Sequence, residues 1–598
     1  MTILHEPLRK LISQSLVTII QKQLELSGVA KDLMNAADVY KALVEPPNLD
    51  LGHLAFGCFI TAKNLKKAPP VVAQLLAQEL KDELKQNIVL SYHIQSIEAA
   101  GPYVNIKFSA AGFSDYVLQP LVNGSAFKSQ LTEATAKMMI EYSQPNTHKE
   151  LHVGHMRNMC LGDSIVRLLR YSGYDILAST FPGDVGTHVA KCLWYMKFHN
   201  SETAPLMNKG EWLGGMYSKG NLLLEDQENT PQAEQNKRIL TEILKQLEHK
   251  SGEYYDLWKE TRQWSIDLMK QIYKWADIEF DQWYFESDVD SASVKTVKKY
   301  FDEGKLVESQ GAIGLDFSSE NLGFCLLLKS DGTGLYATKD IELARRKFED
   351  YKIEKSIYVV DQRQALHFKQ VFRALEVLGF DQAKNCYHLQ YNYVELPDGA
   401  MSSRKGNIVP LMTLVNTMKD HIKTTYLTRY ENEWSADEIA LVSDQVAKGA
   451  IKYGMLKQDT NKKIVFDMNE WTKLDGESGP FIQYSYARIN SLMKKFDFGV
   501  AAKFDGTILN HDSEIKLMQH LMNFNTVVLS AAESYKPAPL CGYLYDTAKK
   551  FNTFYHDCAI GTAETPDLKK SRLALAYSTG AVLKQGLALL GIPVPNRM

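Results

Sequence analysis

The chain has 598 residues, 45% hydrophobic and 23% charged, with a formal net charge of -3 and a pI near 6.6. That length exceeds one ordinary core, no stretch approaches the ~18 uninterrupted apolar residues of a membrane span, and the near-neutral balance gives no overall electrostatic footprint for nucleic acid. Three or four domains of a soluble protein are expected, with any nucleic-acid partner held by local basic surface.

The first segment, "EPLRKLISQSLVTIIQKQLEL", places Leu8, Leu11, Ile12, Leu16, Ile19 and Ile20 at helical spacing, and its charges interrupt what a secretory signal would leave continuous. An amphipathic helix is expected. "PPVVAQLLAQELKDEL" opens a second helix with prolines where a helix tolerates them. "GPYVNIKFS" then alternates, predicting a strand with Val104, Ile106 and Phe108 on one face and Tyr103, Asn105 and Lys107 on the other. Residues 1–120 therefore read as a small α/β domain.

From 137 the pattern becomes strand, loop, helix. "KMMIEYS" predicts a strand, "HMRNMCLGDSIVRLLRYSG" a helix closed by Gly173, and "YDILAST" the next strand, which implies a parallel sheet. Two later units match this grammar: "GFCLLLK" with "IELARRKFEDY", and "SIYVVD" with "HFKQVFRALEVLGF". Residues 121–410 read as a Rossmann-like domain, interrupted at about 200–285 by a polar helical insertion. Beyond 411 no convincing strand is expected, and 411–598 reads as all-helical. The seven cysteines are scattered without a C-x-x-C pair, which argues against disulfides and zinc and makes the cytosol the default compartment.

Two stretches carry chemistry. In "QPNTHKELHVGH" the histidines His152 and His155, three apart at a helix start, share one face beside free backbone N–H groups that favour phosphate, and Gly154 permits close approach of a nucleotide. The second, "DGAMSSRKGNIV", combines small residues with cations, as a loop clamping a polyphosphate requires.

In this order the two stretches resemble the paired signatures of class I aminoacyl-tRNA synthetases. With "FPGDVGTH", "LYATKDIELA", "YVVDQRQALHFKQ", "GPFIQYSYARI" and "LALLGIPVPNRM", the chain is similar to the arginyl-tRNA synthetase family from about residue 40 to its end. The resemblance implies activation of L-arginine by ATP with Mg²⁺, transfer to tRNA(Arg), no resident metal, and a monomer in the cytoplasm. It implies catalytic roles for Lys149, His152, His155, Ser402, Ser403, Arg404 and Lys405, with ATP held by His152, Gly154, His155, Met401 and Ser402.

The usual K-M-S-K-S loop is altered: Ala400 and Ser403 stand where its lysines belong, and Lys149 holds the position from which a lysine substitutes in many arginyl enzymes. Val185 replaces a customary aromatic, so that loop receives no assigned contact. For arginine, whose planar guanidinium demands carboxylates and neutral acceptors, the resemblance implies Glu141, Asn146, Tyr336, Asp340 and Gln364. Asp340 equally fits a helix N-cap. For tRNA it implies Tyr103 and Asn105 in the first domain and Tyr484 and Tyr486 in the last. A class I enzyme for another amino acid, or a catalytically silent tRNA-binding relative, are the competing readings.

Overall fold

The computed structural model describes residues 6–30, 33–44, 46, 49–127, 131–132, 136–395 and 410–598. The calls on Met401, Ser402, Ser403, Arg404 and Lys405 lie outside the described residues. Among the described residues no helix is long and apolar enough to cross a membrane.

The helix Glu6–Leu26 forms as its periodicity predicts, and Leu8, Ile12, Leu16, Ile19 and Ile20 are buried. It packs on the helix Pro69–Gln86, which covers an antiparallel sheet of β1 (Leu43–Val44), β2 (Leu54–Gly57), β3 (Ile94–Ala100) and β4 (Tyr103–Phe108) in the order β1-β2-β4-β3. One expectation fails here. β4 is an interior strand, and Val104, Asn105 and Ile106 are all buried, so both of its faces are covered and Asn105 is not presented to solvent. Tyr103, at the strand's edge, remains 36% exposed and meets Phe59 edge-on at 5.6 Å.

The second sheet is parallel. Its strands are β5 (Lys137–Glu141), β6 (Asp175–Thr180), β7 (Gln282–Trp283), then, past β8 (Val307–Ser309), β9 (Ala312–Phe317) and β10 (Gly323–Leu328), β11 (Lys355–Asp361) and β12 (Cys386–Tyr391). The five-stranded order is β12-β11-β5-β6-β7. The helix Val153–Ser172 follows β5 and ends, as expected, at Gly173 in the left-handed region, φ 106°.

β10 departs from the sequence reading. It pairs antiparallel with β9 in a separate three-stranded sheet, because Gln310 and Gly311, both at positive φ, turn β8 back onto β9 as a tight hairpin. Between β6 and β7 the chain forms the helices Thr187–Phe198, Lys209–Asp226, Gln232–Glu248 and Glu253–Ala276. The last three correspond to the expected insertion.

After Pro410 the chain is helical except for β14 (Ile464–Val465), which pairs in parallel with β13 (Val394–Glu395). A strand beyond Pro410 thus pairs with one that precedes it. Arg157, 2% exposed, fastens the joint from the helix Val153–Ser172, donating to the carbonyls of Asn392 at 2.6 Å, Lys462 at 2.8 Å and Asp459 at 3.2 Å. Lys452 is fully buried and lies 3.5 Å from Asp163 of that same helix.

Candidate active site

A cleft of about 630 Å³ opens at the carboxyl ends of β5, β6, β11 and β12, where the parallel sheet leaves its strand ends free. Its walls include Glu141, Asn146, His152, Gly154, His155, Tyr336, Asp340 and Gln364, so those of the residues expected for ATP and arginine that are described meet in one place.

His152 is the N-cap of the helix Val153–Ser172 rather than part of its first turn. Its Nδ1 accepts the N–H of Gly154 at 3.1 Å, and the N–H of His152 donates to Nδ1 of His155 at 3.1 Å, so the two rings complete a reciprocal capping box. Gly154 is small for a local reason: a Cβ there would lie 2.9 Å from Cε1 of His152. Burial, then the charge of Arg363, lowers His152 to about 4; burial, then His152 and Lys149, holds His155 well below the usual range. Both rings are therefore neutral at pH 7. With each Nδ1 accepting a backbone proton, each ring carries its own proton on Nε2, a donor suited to phosphate oxygen.

Lys149 lies one residue beyond His148, a buried residue at φ 60°, and its ammonium stands 4.9 Å over the ring of Tyr217 from the insertion. Pro410, the first described residue after the "MSSRKG" segment, bridges to His152, and Leu411 N–H donates to the carbonyl of Leu151 at 2.9 Å. β13 ends at Glu395. The flanks of that segment are thus anchored next to the histidine pair and to Arg157's joint.

The other wall is acidic. Asp340 is not a cap: the N-cap of the helix Tyr336–Tyr351 is Leu335, and Asp340 lies inside the helix with Oδ2 2.5 Å from Nε2 of His367. Burial opposes a charge on His367, yet Asp340 outweighs it and raises the ring above its ordinary value. Glu141 ends β5, 3% exposed, and is already paired with the fully buried Lys347 while accepting from Gln144 at 3.2 Å. Gln364 closes a short turn after β11, and Tyr336 opens its helix 61% exposed at the rim.

Sequence reading missed Glu286. It is 6% exposed, its Oε2 holds Lys339 at 2.9 Å, and a Cβ built on Gly183 would meet its Oε1 at 3.1 Å and Oδ1 of Asn146 at 2.4 Å. Glu286 and Asn146 therefore converge on one backbone position. Burial raises the Glu286 carboxyl to about 6 despite Lys339, whereas Lys339, between Glu286 and Asp290, is raised by two carboxylates against its own burial. Glu286 opens a helix after the polar insertion, and an acid in a first helical turn reads from sequence as routine dipole compensation.

In the C-terminal half, Tyr484 is half-buried under Arg488, whose guanidinium lies 5.2 Å from its ring and 5.6 Å from that of Tyr555. Tyr486 packs against the core, and burial raises its hydroxyl pKa. Among the described residues no group of three or more His, Cys, Asp or Glu is suited to hold a metal ion.

This site and sheet define a class I aminoacyl-tRNA synthetase catalytic domain, and the family model "tRNA synthetases class I (R), catalytic domain" matches residues 116–468. Models for the arginyl tRNA synthetase N terminal domain and the DALR anticodon binding domain match residues 8–108 and 482–598. The chain belongs to the arginyl-tRNA synthetase family. It is 62% identical to an arginine--tRNA ligase of Bdellovibrio bacteriovorus over 99% of this chain and 100% of that one, and 32% identical to that of Clostridium perfringens over 94% and 96%. The arginyl-tRNA synthetase of Thermus thermophilus shares its fold, with a TM-score of 0.78 at 24% identity, covering 99% of this chain and 100% of the other.

Proposed function

We infer that the chain joins L-arginine to the 3′ end of tRNA(Arg) at the expense of ATP. The arginine carboxylate attacks the α-phosphorus, pyrophosphate leaves, and a terminal ribose hydroxyl of the tRNA then takes the arginyl group from the adenylate. No covalent enzyme intermediate is needed, so catalysis is positioning and charge stabilisation. Neutral His152 and His155 donate Nε2–H to phosphate oxygens at the helix N-terminus, and Lys149 supplies the cation that Ala400 and Ser403 do not. Ser402, Ser403, Arg404 and Lys405 would close over the leaving pyrophosphate. Mg²⁺ enters with ATP as part of the substrate.

The observation that carries the arginine reading is the acidic wall facing those histidines. Glu286 and Asp340 line the same cleft with the neutral acceptor Asn146, and Tyr336 and Gln364 complete its rim, which suits a flat cation with five donors. A site built this way rejects neutral analogues strongly. For tRNA, Tyr103 with Phe59 and the Tyr484–Arg488–Tyr555 cluster offer stacking surfaces at opposite ends of the chain. Free cysteines, all but Cys386 buried, fit a protein working in the reducing cytoplasm.

The test is aminoacylation of total tRNA with each amino acid in turn. Arginine alone should be esterified, with ATP consumed in step. Charging with another amino acid would move the chain to a different class I specificity, and no ATP consumption would make it a silent tRNA-binding relative.

A further inference from the structure

We propose that the helical insertion between β6 and β7 is a mount for Lys149, with Tyr217 and Thr261 as its positioning residues. This deepens the reading of Lys149 as the cation for the phosphates and rests on it.

The loop after β5 has two non-glycine residues in the left-handed region, Ser143 at φ 56° and His148 at φ 60°. Such a conformation persists only where the surroundings over-determine it. At His148 those surroundings are the insertion helix Glu253–Ala276. The N–H of His148 donates to Oγ of Ser265 at 2.9 Å, and its Nε2 lies 2.9 Å from Oγ1 of Thr261. The Thr261 hydroxyl donates to the carbonyl of Leu257 at 2.8 Å, so its oxygen is left to accept from Nε2–H. Thr147 then donates to Nδ1 at 2.9 Å. This pattern requires a neutral ring, and burial lowers His148 to about 3.

The residue on the other side of Lys149 is held by the insertion helix Lys209–Asp226. Gly214 packs so closely on Glu150 that a Cβ there would stand 2.9 Å from the Glu150 backbone nitrogen. Between these two grips the Lys149 ammonium lies over Tyr217, which is 6% exposed on that same helix. The mount is itself referenced to the sheet: Trp258 Nε1–H donates to the carbonyl of Asp184 at 2.7 Å, and Arg262 pairs with the Asp184 carboxylate at 2.6 Å, just past β6.

A lysine stem is flexible, and a cation on a loop must be ordered each time it meets phosphate. Here both neighbours of Lys149 are fixed and an aromatic face restrains its charge before substrate arrives. The ring holds the ammonium near the histidines, where it already contributes to lowering His155.

The full chain is assayed for arginylation as wild type, Tyr217→Phe, Tyr217→Leu, Thr261→Ser, Thr261→Val, Lys149→Ala and the double variant Lys149→Ala with Tyr217→Leu, each with a thermal melt. Tyr217→Leu and Thr261→Val should lower kcat by roughly tenfold, with KM for arginine and tRNA within about twofold. Tyr217→Phe and Thr261→Ser, which keep the ring and the hydroxyl, should recover most of the rate. The double variant should be no slower than Lys149→Ala alone. If Tyr217→Leu unfolds, Thr261→Val and its serine rescue carry the test. A slow Lys149→Ala beside unimpaired Tyr217→Leu and Thr261→Val, or losses that multiply in the double variant, overturns the mount alone. A wild-type kcat in Lys149→Ala removes the role of Lys149 and the mount with it.

Discussion

The backbone N–H of His152 donates to Nδ1 of His155 at 3.1 Å, and the two rings lie 4.1 Å apart between centroids. The same two rings therefore cap a helix through Nδ1 and present Nε2–H donors on their far sides, and the two duties can be separated. His152→Asn retains a good N-cap acceptor, so its melting temperature should stay near wild type while adenylate formation falls about a hundredfold. His152→Ala should lose the rate and about 1 kcal/mol of stability as well. His155→Ala should also depress adenylate formation and leave the KM for arginine unchanged. Wild-type rates in His152→Asn and His155→Ala would remove the histidines from the chemistry.

Glu286 gives the enzyme an acid limb. Because burial raises its carboxyl to about 6 from the ordinary value of 4.5, the charge it would turn to a guanidinium is present above that pH and lost as pH falls through it. The kcat/KM for arginine should decline below about pH 6, and Glu286→Gln should start from a lower plateau with that inflection gone. An inflection that survives the substitution belongs to another group.

Asp340→Asn should weaken arginine binding by about 2–4 kcal/mol, the range for losing one partner of a desolvated charged hydrogen bond. The same carboxylate raises the His367 pKa, so the stability of that pair is complete below the unfolded value of 6.5 and disappears as pH rises through the higher folded value. The melting-temperature loss in Asp340→Asn should accordingly be larger at pH 6 than at pH 9. An arginine KM within a factor of two of wild type would make Asp340 purely structural.

The legibility of Asp340 and Asn105 differed for physical reasons. Helical spacing and strand alternation located most elements, since burial of one face imposes those periods. Alternation assigns Asn105 to a face but says nothing about what covers that face, and both faces of β4 are occupied. The hairpin of β8 and β9 was missed because its turn is Gln310–Gly311, a weaker signal than Asn-Gly. In the cleft, residues within motifs are readable, whereas Glu286 reaches it just after an insertion, and Tyr217 meets Lys149 from within that insertion, along a path no local pattern encodes.

Tyr103→Ala should raise the KM for tRNA and spare those for ATP and arginine, with protection lost in the D loop on footprinting. Asn105→Ala should instead lower the stability of the N-terminal domain, as burial requires. A tRNA KM unmoved by Tyr103→Ala would leave selection to the C-terminal half.

Pyrophosphate exchange with ATP and arginine alone should be negligible, since Ala400 and Ser403 deprive the loop of both usual lysines. Adding tRNA(Arg) should start it. Robust exchange without tRNA would contradict this.

The anchorage of Arg157 has a consequence for the order of synthesis. A nascent chain that has reached Pro410 already contains the histidine pair, yet the carbonyls of Asp459 and Lys462 that receive the Arg157 guanidinium are still unmade. The Ser164 hydroxyl of the same helix donates to the carbonyl of Leu589, which is made later still. At ~5–20 residues per second the stretch from Pro410 to Leu589 takes roughly ten to forty seconds. Until the chain has passed Lys462 the Arg157 guanidinium has only the carbonyls of Asn392 and Tyr393 to receive it, so a product terminated before Asp459 should not hold the helix Val153–Ser172 in register.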